Sequence, residues 1–302
     1  MNNRFQLTNE FNSAGLSDDK KHRRRRNLIV TIIVIVVFLT AELLRSNLYI
    51  SVEKVTYLSN DLPSSFNGAK IVLLSDFHSN GFCENRILNA VEEQRPDYIF
   101  LAGDIVDESD KDLSAAKDFV ERLSKIADTY IVFGNHDLSL SIDKQKELSE
   151  SFKKSGAHLL DNGYTYLERG NSKILLVGTS DTPDSISGPT KLLLSELPRD
   201  QKCVFWIHHY PEDFSAILNE SEKLRSTADL VFSGHAHGGL IGVPFAGGLY
   251  APGQGFFPKY ISGRYNEGNS SMLVSRGVGN SGMTKRLFNS LHMIVVELNS
   301  AG

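Results

Sequence analysis

The residues best suited to chemistry fall in five short blocks. They are Asp76-Phe77-His78, Gly103-Asp104-Ile105-Val106-Asp107, Gly134-Asn135-His136-Asp137, His208-His209-Tyr210-Pro211 and Gly234-His235-Ala236-His237-Gly238-Gly239. Carboxylate, amide and imidazole are the donors that hold divalent cations. Each block alone has a bland reading, because Asp, Asn and His are common in turns. Gly-Asn-His-Asp is harder to dismiss, since four polar residues directly after an apolar run need a reason. In Gly-His-x-His-Gly-Gly the two histidines can project toward a common point once the chain turns, and glycine allows that turn. Five such blocks in one chain point to a metal site.

Each block follows a short apolar, β-branched run, as in α/β proteins that present chemistry at strand ends. The runs are 70–75, 97–102, 129–133, 203–207 and 229–233. A sixth run, 173–177, ends in Gly178-Thr179-Ser180-Asp181 and predicts a strand without a ligand. Between the first three runs the apolar spacing is helical. Ile87, Leu88, Ala90 and Val91 form one stripe, and Leu113, Ala116, Phe119, Val120 and Leu123 another. Both read as crossover helices of βαβ units.

The formal charge of -4 hides an asymmetry. Residues 1–27 carry seven Lys/Arg against three acids, which leaves the rest of the chain at -8. A body that acidic is a poor binder of nucleic acid backbone, which needs Lys and Arg, so nucleic acid is not an expected partner. Two cysteines, Cys83 and Cys203, form neither a metal spacing nor a disulfide framework, and Cys203 reads as core. Leu28 to Leu44 is apolar except for Thr31, Thr40 and Glu42, and its 17 residues reach the short end of the membrane-spanning range. Arg23 to Arg26 precede it, so the positive-inside rule keeps that cluster in the cytoplasm and sends the body across. A signal anchor is preferred, because no small-residue cleavage site follows. A cleaved signal, a twin-arginine signal at Arg25-Arg26 and a buried helix remain alternatives. The expected organisation is a disordered basic cytoplasmic tail over 1–27, a transmembrane anchor over 28–44, a connector over 45–67 and a catalytic domain over 68–300. No protein partner is expected.

The pattern D-x-H, G-D-x-x-D, G-N-H-D, H-x-P and G-H-x-H resembles the calcineurin-like metallophosphoesterase family, over essentially all of 68–300. Small bacterial membrane-anchored phosphodiesterases are the most similar branch, sharing the late Ser275-Arg276-Gly277-Val278-Gly279 and Arg286-Leu287-Phe288-Asn289. Members commonly continue Gly-Gly with Gln, where this chain has Leu240, a departure bearing on the substrate pocket. The fold the resemblance implies is α/β (α+β by some schemes). It is a two-sheet β-sandwich flanked by helices, preceded here by one N-terminal transmembrane helix.

The resemblance also implies a ligand set. Asp76, His78, Asp104 and His237 would hold one metal, and Asp104, Asn135, His209 and His235 the second, with Asp104 as bridge. His208 would face away from His209 along the strand. His136 would protonate the leaving oxygen, with Asp107 as its orienting partner, while Asp137 ties down its own turn. Mixed oxygen and nitrogen ligation suits Mn, Fe or Zn better than Ca. A water between two such ions ionises near neutral pH and becomes the nucleophile for in-line attack on phosphorus. The expected activity is metal-dependent phosphoester hydrolysis, on a small-molecule, lipid-linked or envelope phosphoester. The alternative is a metal-binding sensor of the same fold without turnover. Residues 234–263 hold many glycines and aromatics, and Phe256 and Phe257 read as an apolar lip beside the metals. Lys259, Arg264, Arg276 and Arg286 read as solvated surface residues.

Overall fold

A computed structural model describes the backbone of residues 2–180, 188–223, 227–239, 241–243, 247–280 and 285–301. Leu240 lies outside the described residues. The chain divides into an N-terminal unit, Met1–Arg45, and a body, Ser46–Gly302. Helix α1 (Asn2–Leu48) accounts for the first unit, and its stretch Lys21–Leu48 is long and apolar enough to cross a membrane. The apolar side chains from Leu28 to Phe38 are exposed. Residues 2–27, expected to be disordered, continue this helix. Extending a helix onto an existing nucleus costs little, and no proline interrupts the stretch.

The body opens with β1 (Ile50–Ser59), β2 (Lys70–Leu74), α2 (Glu84–Gln94), β3 (Tyr98–Ala102), α3 (Ser114–Ser124) and β4 (Asp128–Val132). Then come α4 (Asn135–Leu138), α5 (Ile142–Lys154), β5 (His158–Leu159), β6 (Gly163–Arg169), β7 (Ser172–Thr179), α6 (Gly188–Glu196), β8 (Val204–His208), α7 (Phe214–Lys223) and β9 (Leu230–Ser233). Two small hairpins follow, β10 (Gly242–Val243) with β11 (Gly247–Gly248) and β12 (Tyr250–Ala251) with β13 (Gly255–Phe256). The chain ends in β14 (Gly263–Glu267), β15 (Ser270–Val274) and β16 (Leu291–Ser300).

Two six-stranded sheets result, in the orders β1-β16-β2-β3-β4-β5 and β14-β15-β9-β8-β7-β6. In the first sheet β2, β3, β4 and β5 run parallel, and in the second β7, β8, β9 and β15 do. Alternation along each strand divides the core. Ile71, Leu73, Phe100, Phe205, Ile207 and Phe232 point between the sheets. Val72, Leu74, Ile99 and Leu101 pack outward on α2, α3 and α5, and Val204, Trp206 and Val231 on α6 and α7. Strands covered on both faces read as continuous apolar runs, as the sequence does. The layers are helix, sheet, sheet, helix, the fold the resemblance implied.

The connector expected over 45–67 is different. Residues 50–59 form β1, which pairs in parallel with β16 over ten residues, Ile50 with Leu291 through Ser59 with Ser300. Its alternation is weak because it is an edge strand with mostly half-buried residues, so the sequence pattern hides it.

Candidate metal centre

Parallel strands deliver their carboxyl ends to one edge, and every singled-out block sits there. Asp76 and His78 follow β2, Asp104 follows β3, and Asn135 and His136 open α4 just after β4. From the second sheet, His209 follows β8, and His235 and His237 follow β9. Five of these residues have left-handed backbones: Asp76 (φ 52°), His78 (44°), Asp104 (55°), His235 (65°) and His237 (47°). Such conformations cost about 1–3 kcal/mol each and persist only where the surroundings enforce them. The enforcement is visible. Asp76 N–H donates to Gly103 O at 2.9 Å and His78 N–H to Asp104 O at 3.1 Å. His136 N–H donates to Asp104 Oδ1 at 2.9 Å and His235 N–H to Asp76 Oδ1 at 3.1 Å. Gly134 is required, because a Cβ there would lie 2.3 Å from Asp104 Oδ1 and 2.6 Å from Asp104 N.

Donor atoms converge in two adjoining groups, Asp76, His78, Asp104 and His237 in one, and Asp104, His209 and His235 in the other. In the first, His78 Nε2 is 3.2 Å from His237 Nε2 and 3.7 Å from Asp104 Oδ2, and His237 Nε2 is 3.4 Å from Asp76 Oδ1. In the second, His209 Nε2 is 3.2 Å from both Asp104 Oδ2 and His235 Nδ1. Donors bonded to one cation at about 2.0–2.2 Å lie about 3.0–3.5 Å apart, so most of these spacings match the edges of a coordination shell. Asp104 Oδ2 is common to both groups. Asn135 contributes a buried Oδ1 with no hydrogen-bond partner among the described residues, an arrangement that otherwise costs about 1–3 kcal/mol. The donor set fits two divalent cations.

The electrostatics agree. Burial, reinforced by neighbouring histidines, lowers His78 to about 4, His235 to about 3 and His237 well below its usual value, so all three offer neutral nitrogen at neutral pH. Burial would raise Asp104 too, but His209 and His78 hold it far below the ordinary carboxylate range. Burial likewise disfavours charge on His209, yet the Asp104 carboxylate lifts it to about 10, which measures how strongly this acid draws positive charge. His209 also donates Nδ1–H to Ala102 O at 2.6 Å, which turns Nε2 toward Asp104.

Around the donors, His208 faces away, with Nδ1 2.7 Å from Thr179 Oγ1 and Nε2 3.0 Å from Asp213 Oδ2. Asp137 accepts N–H bonds from Gly134, Ile105 and Val106, tying its turn to the loop after β3. His136 stacks edge-on against His78 at 4.6 Å between centroids. Its Nδ1 accepts Glu108 N–H at 3.1 Å, whereas Asp107 Oδ2 lies 3.9 Å away. Asp107 thus stands beside the ring it was expected to orient, and its Oδ1 accepts from Ser109 N–H and Oγ–H, which shapes the turn carrying Glu108. His78, Asp107 and His136 also form a third cluster of potential donors.

The sequence misjudged Arg286. Only 3% exposed, it lies against His237, with Nη2 3.3 Å from Nδ1, and donates to Gly279 O and Arg276 O. Asn289 Nδ2 donates to His237 O at 2.6 Å. The available signal was the late Arg286-Leu287-Phe288-Asn289 block, whose charge suggested solvent. Lys259 and Arg264 are exposed as expected.

Comparison with known proteins places this geometry in a family context. The model of the calcineurin-like phosphoesterase family matches residues 69–239. The chain is 31% identical to phosphodiesterase YaeI of Escherichia coli, covering 70% of this chain and 75% of that protein. It is 27% identical to the metallophosphoesterase YkuE of Bacillus subtilis, over 83% and 86% of the two chains. A transmembrane protein with a metallophosphoesterase domain from Danio rerio is 26% identical, over 67% of this chain and 53% of its own.

Proposed function

The chain belongs to the calcineurin-like phosphoesterase family, and on that premise we propose that it hydrolyses phosphoesters at a dinuclear metal centre. Asp76, His78, Asp104 and His237 would hold one cation and Asp104, Asn135, His209 and His235 the other, with Mn, Fe or Zn suited to the donors. When bound, the pair would neutralise phosphoryl charge and supply an ionised water as nucleophile. The observation that carries this reading is Asp104 Oδ2, 3.2 Å from His209 Nε2 and 3.7 Å from His78 Nε2, one oxygen on the edge of both donor groups. His136 acts as the acid. Because its Nδ1 accepts Glu108 N–H, the ring carries a proton on Nε2, from which it would donate to a leaving oxygen as charge builds there. Asp107 supports it at one remove, through the turn that presents Glu108.

The apolar run of α1 serves as a single-pass anchor, with Arg23 to Arg26 in the cytoplasm and the body outside. A lipid-linked or envelope phosphoester is the substrate class that suits this location and the exposed Phe256 and Phe257. The test is metal analysis joined to a screen of phosphomonoesters, diesters, nucleotides and phospholipid headgroups, with Asp104→Asn and His136→Ala as controls. Purified full-length protein that hydrolyses neither bis-p-nitrophenyl nor p-nitrophenyl phosphate with added Mn²⁺ would reject catalysis. Metal-stabilised melting in that same protein would leave the sensor reading in its place.

A further inference from the structure

The stretch where the chain leaves the apolar run is bonded into the body. Asn47 Nδ2 donates to Arg286 O at 2.9 Å, and Asn47 Oδ1 accepts Arg286 N–H at 3.2 Å. Cys83 Sγ meets Asn47 O at 3.4 Å. Leu44, the last residue of the run, is three peptide units before Asn47, so the two Cα atoms lie within about 11 Å. This exit point is at the metal end of the body, because Arg286 packs against His237.

From that point a ladder of backbone bonds leads to the exposed aromatics. Gly242 N–H donates to Leu287 O, Leu249 N–H to Ile241 O, and Phe257 N–H to Leu249 O, each at 3.0 or 3.1 Å. Phe256 and Phe257 are 71% and 76% exposed, and Phe82, next to the Cys83 that meets Asn47, is 79% exposed. Tyr49, just after the exit, and Ile241 and Tyr250, in the segment that the ladder crosses, are also exposed. Phe257 has a φ of 54°, an outlier for a bulky residue, and its ring gains no burial in return. The hairpin that carries Tyr250 and Phe256 is seated beside the candidate donors: a Cβ on its turn residue Gly253 would lie 2.1 Å from Glu212 Oε1 and 3.6 Å from His235 Nε2. Aromatic side chains around a membrane exit are the composition of a bilayer interface.

We propose that the metal end of the body rests on the bilayer that holds α1, with Phe82, Tyr250, Phe256 and Phe257 set in the headgroup layer. The site then opens at the membrane surface and meets phosphoesters presented there. This rests on the anchor reading of α1 but not on turnover. Contacts that reach only a few ångströms into the headgroup boundary suffice, because the anchor already supplies the affinity.

The single tryptophan, Trp206, is buried between the second sheet and its helices and serves as an internal reference. Full-length Phe257→Trp, Phe82→Trp and Leu58→Trp proteins would be reconstituted in phosphatidylcholine vesicles, with or without brominated lipid. Leu58 is exposed near the end of β1, about 27 Å of strand beyond Ile50, at the pole opposite the metals. Phe257→Trp and Phe82→Trp should lose about half of their added emission to bromine, since interfacial side chains sit about 5–10 Å deep; Leu58→Trp should lose none. Equal quenching at all three positions, or none at the first two, overturns the docking. A blue shift at Phe257→Trp without quenching does so as well, and assigns the patch to a protein contact. Release of the chain by alkaline carbonate overturns the anchor and the docking together. Loss of hydrolysis with quenching intact overturns the catalytic reading alone.

Discussion

The two sheets contribute unlike halves of the site. The first supplies Asp76, Asp104, Asn135 and His136, along with one histidine of the candidate donor set, His78; among the described residues the second supplies His209, His235 and His237 and no carboxylate of that set. The halves meet through short bonds across the seam, His209 Nδ1–H to Ala102 O at 2.6 Å and His235 N–H to Asp76 at 3.1 Å. Beneath them Phe100 of the first sheet meets Phe232 of the second edge-on at 4.8 Å. Carboxylates on one side and imidazole nitrogens on the other is a division that only a correctly packed sandwich can join. Metal affinity and sheet packing should therefore be coupled.

Asp104→Asn attacks the comparison most directly, because it removes the charge of the carboxylate whose Oδ2 lies on both donor groups. Activity should fall by at least about 10³-fold, in line with losing a principal charge-stabilising group, and bound metal measured by mass spectrometry should drop below that of the parent. Retention of full metal content would break the bridging role. Phe232→Ala tests the seam beneath. It should cost about 3–5 kcal/mol in urea unfolding, and the rise in melting temperature on adding Mn²⁺ should shrink. An undiminished metal response would uncouple the two sheets from the site.

His136→Ala sharpens the distinction between holding and reacting. Turnover of esters with poor leaving groups should drop by about 10²-fold, while p-nitrophenyl esters suffer much less and metal content stays constant. Equal losses on both substrates would reject His136 as the acid. The smallest effect lies away from the metals. Burial, with Asp61 adding to it, raises Asp229 to about 6. The folded protein thus takes up a proton between about pH 4 and 6 that the unfolded chain does not, and stability falls as pH rises through that window. Asp229→Asn keeps an acceptor for Val204 N–H and should melt roughly 1–3 °C higher relative to the parent at pH 7.5 than at pH 4.5. A constant difference across pH would discard the assignment.

Much was legible beforehand, for definite reasons. Strands covered on both faces leave uninterrupted apolar runs, so β2, β3, β4, β7, β8 and β9 could be read directly. Stripes at helical spacing gave α2 and α3. β1 escaped notice because an edge strand needs no apolar alternation, and Arg286 was mistaken because charge suggests solvent until a cluster of carbonyls is seen around it.

The sequence by itself determined the donor types, their order and their attachment to strand ends, since those follow from side-chain chemistry and local periodicity. Tertiary structure alone decided that Asp104 faces both histidine groups, that Glu108 N–H meets His136 Nδ1, and that Asn47 joins the end of α1 to the wall behind His237. Such contacts link residues up to 239 positions apart. Which side chains meet across that separation is set by sheet order and packing, which no local pattern encodes.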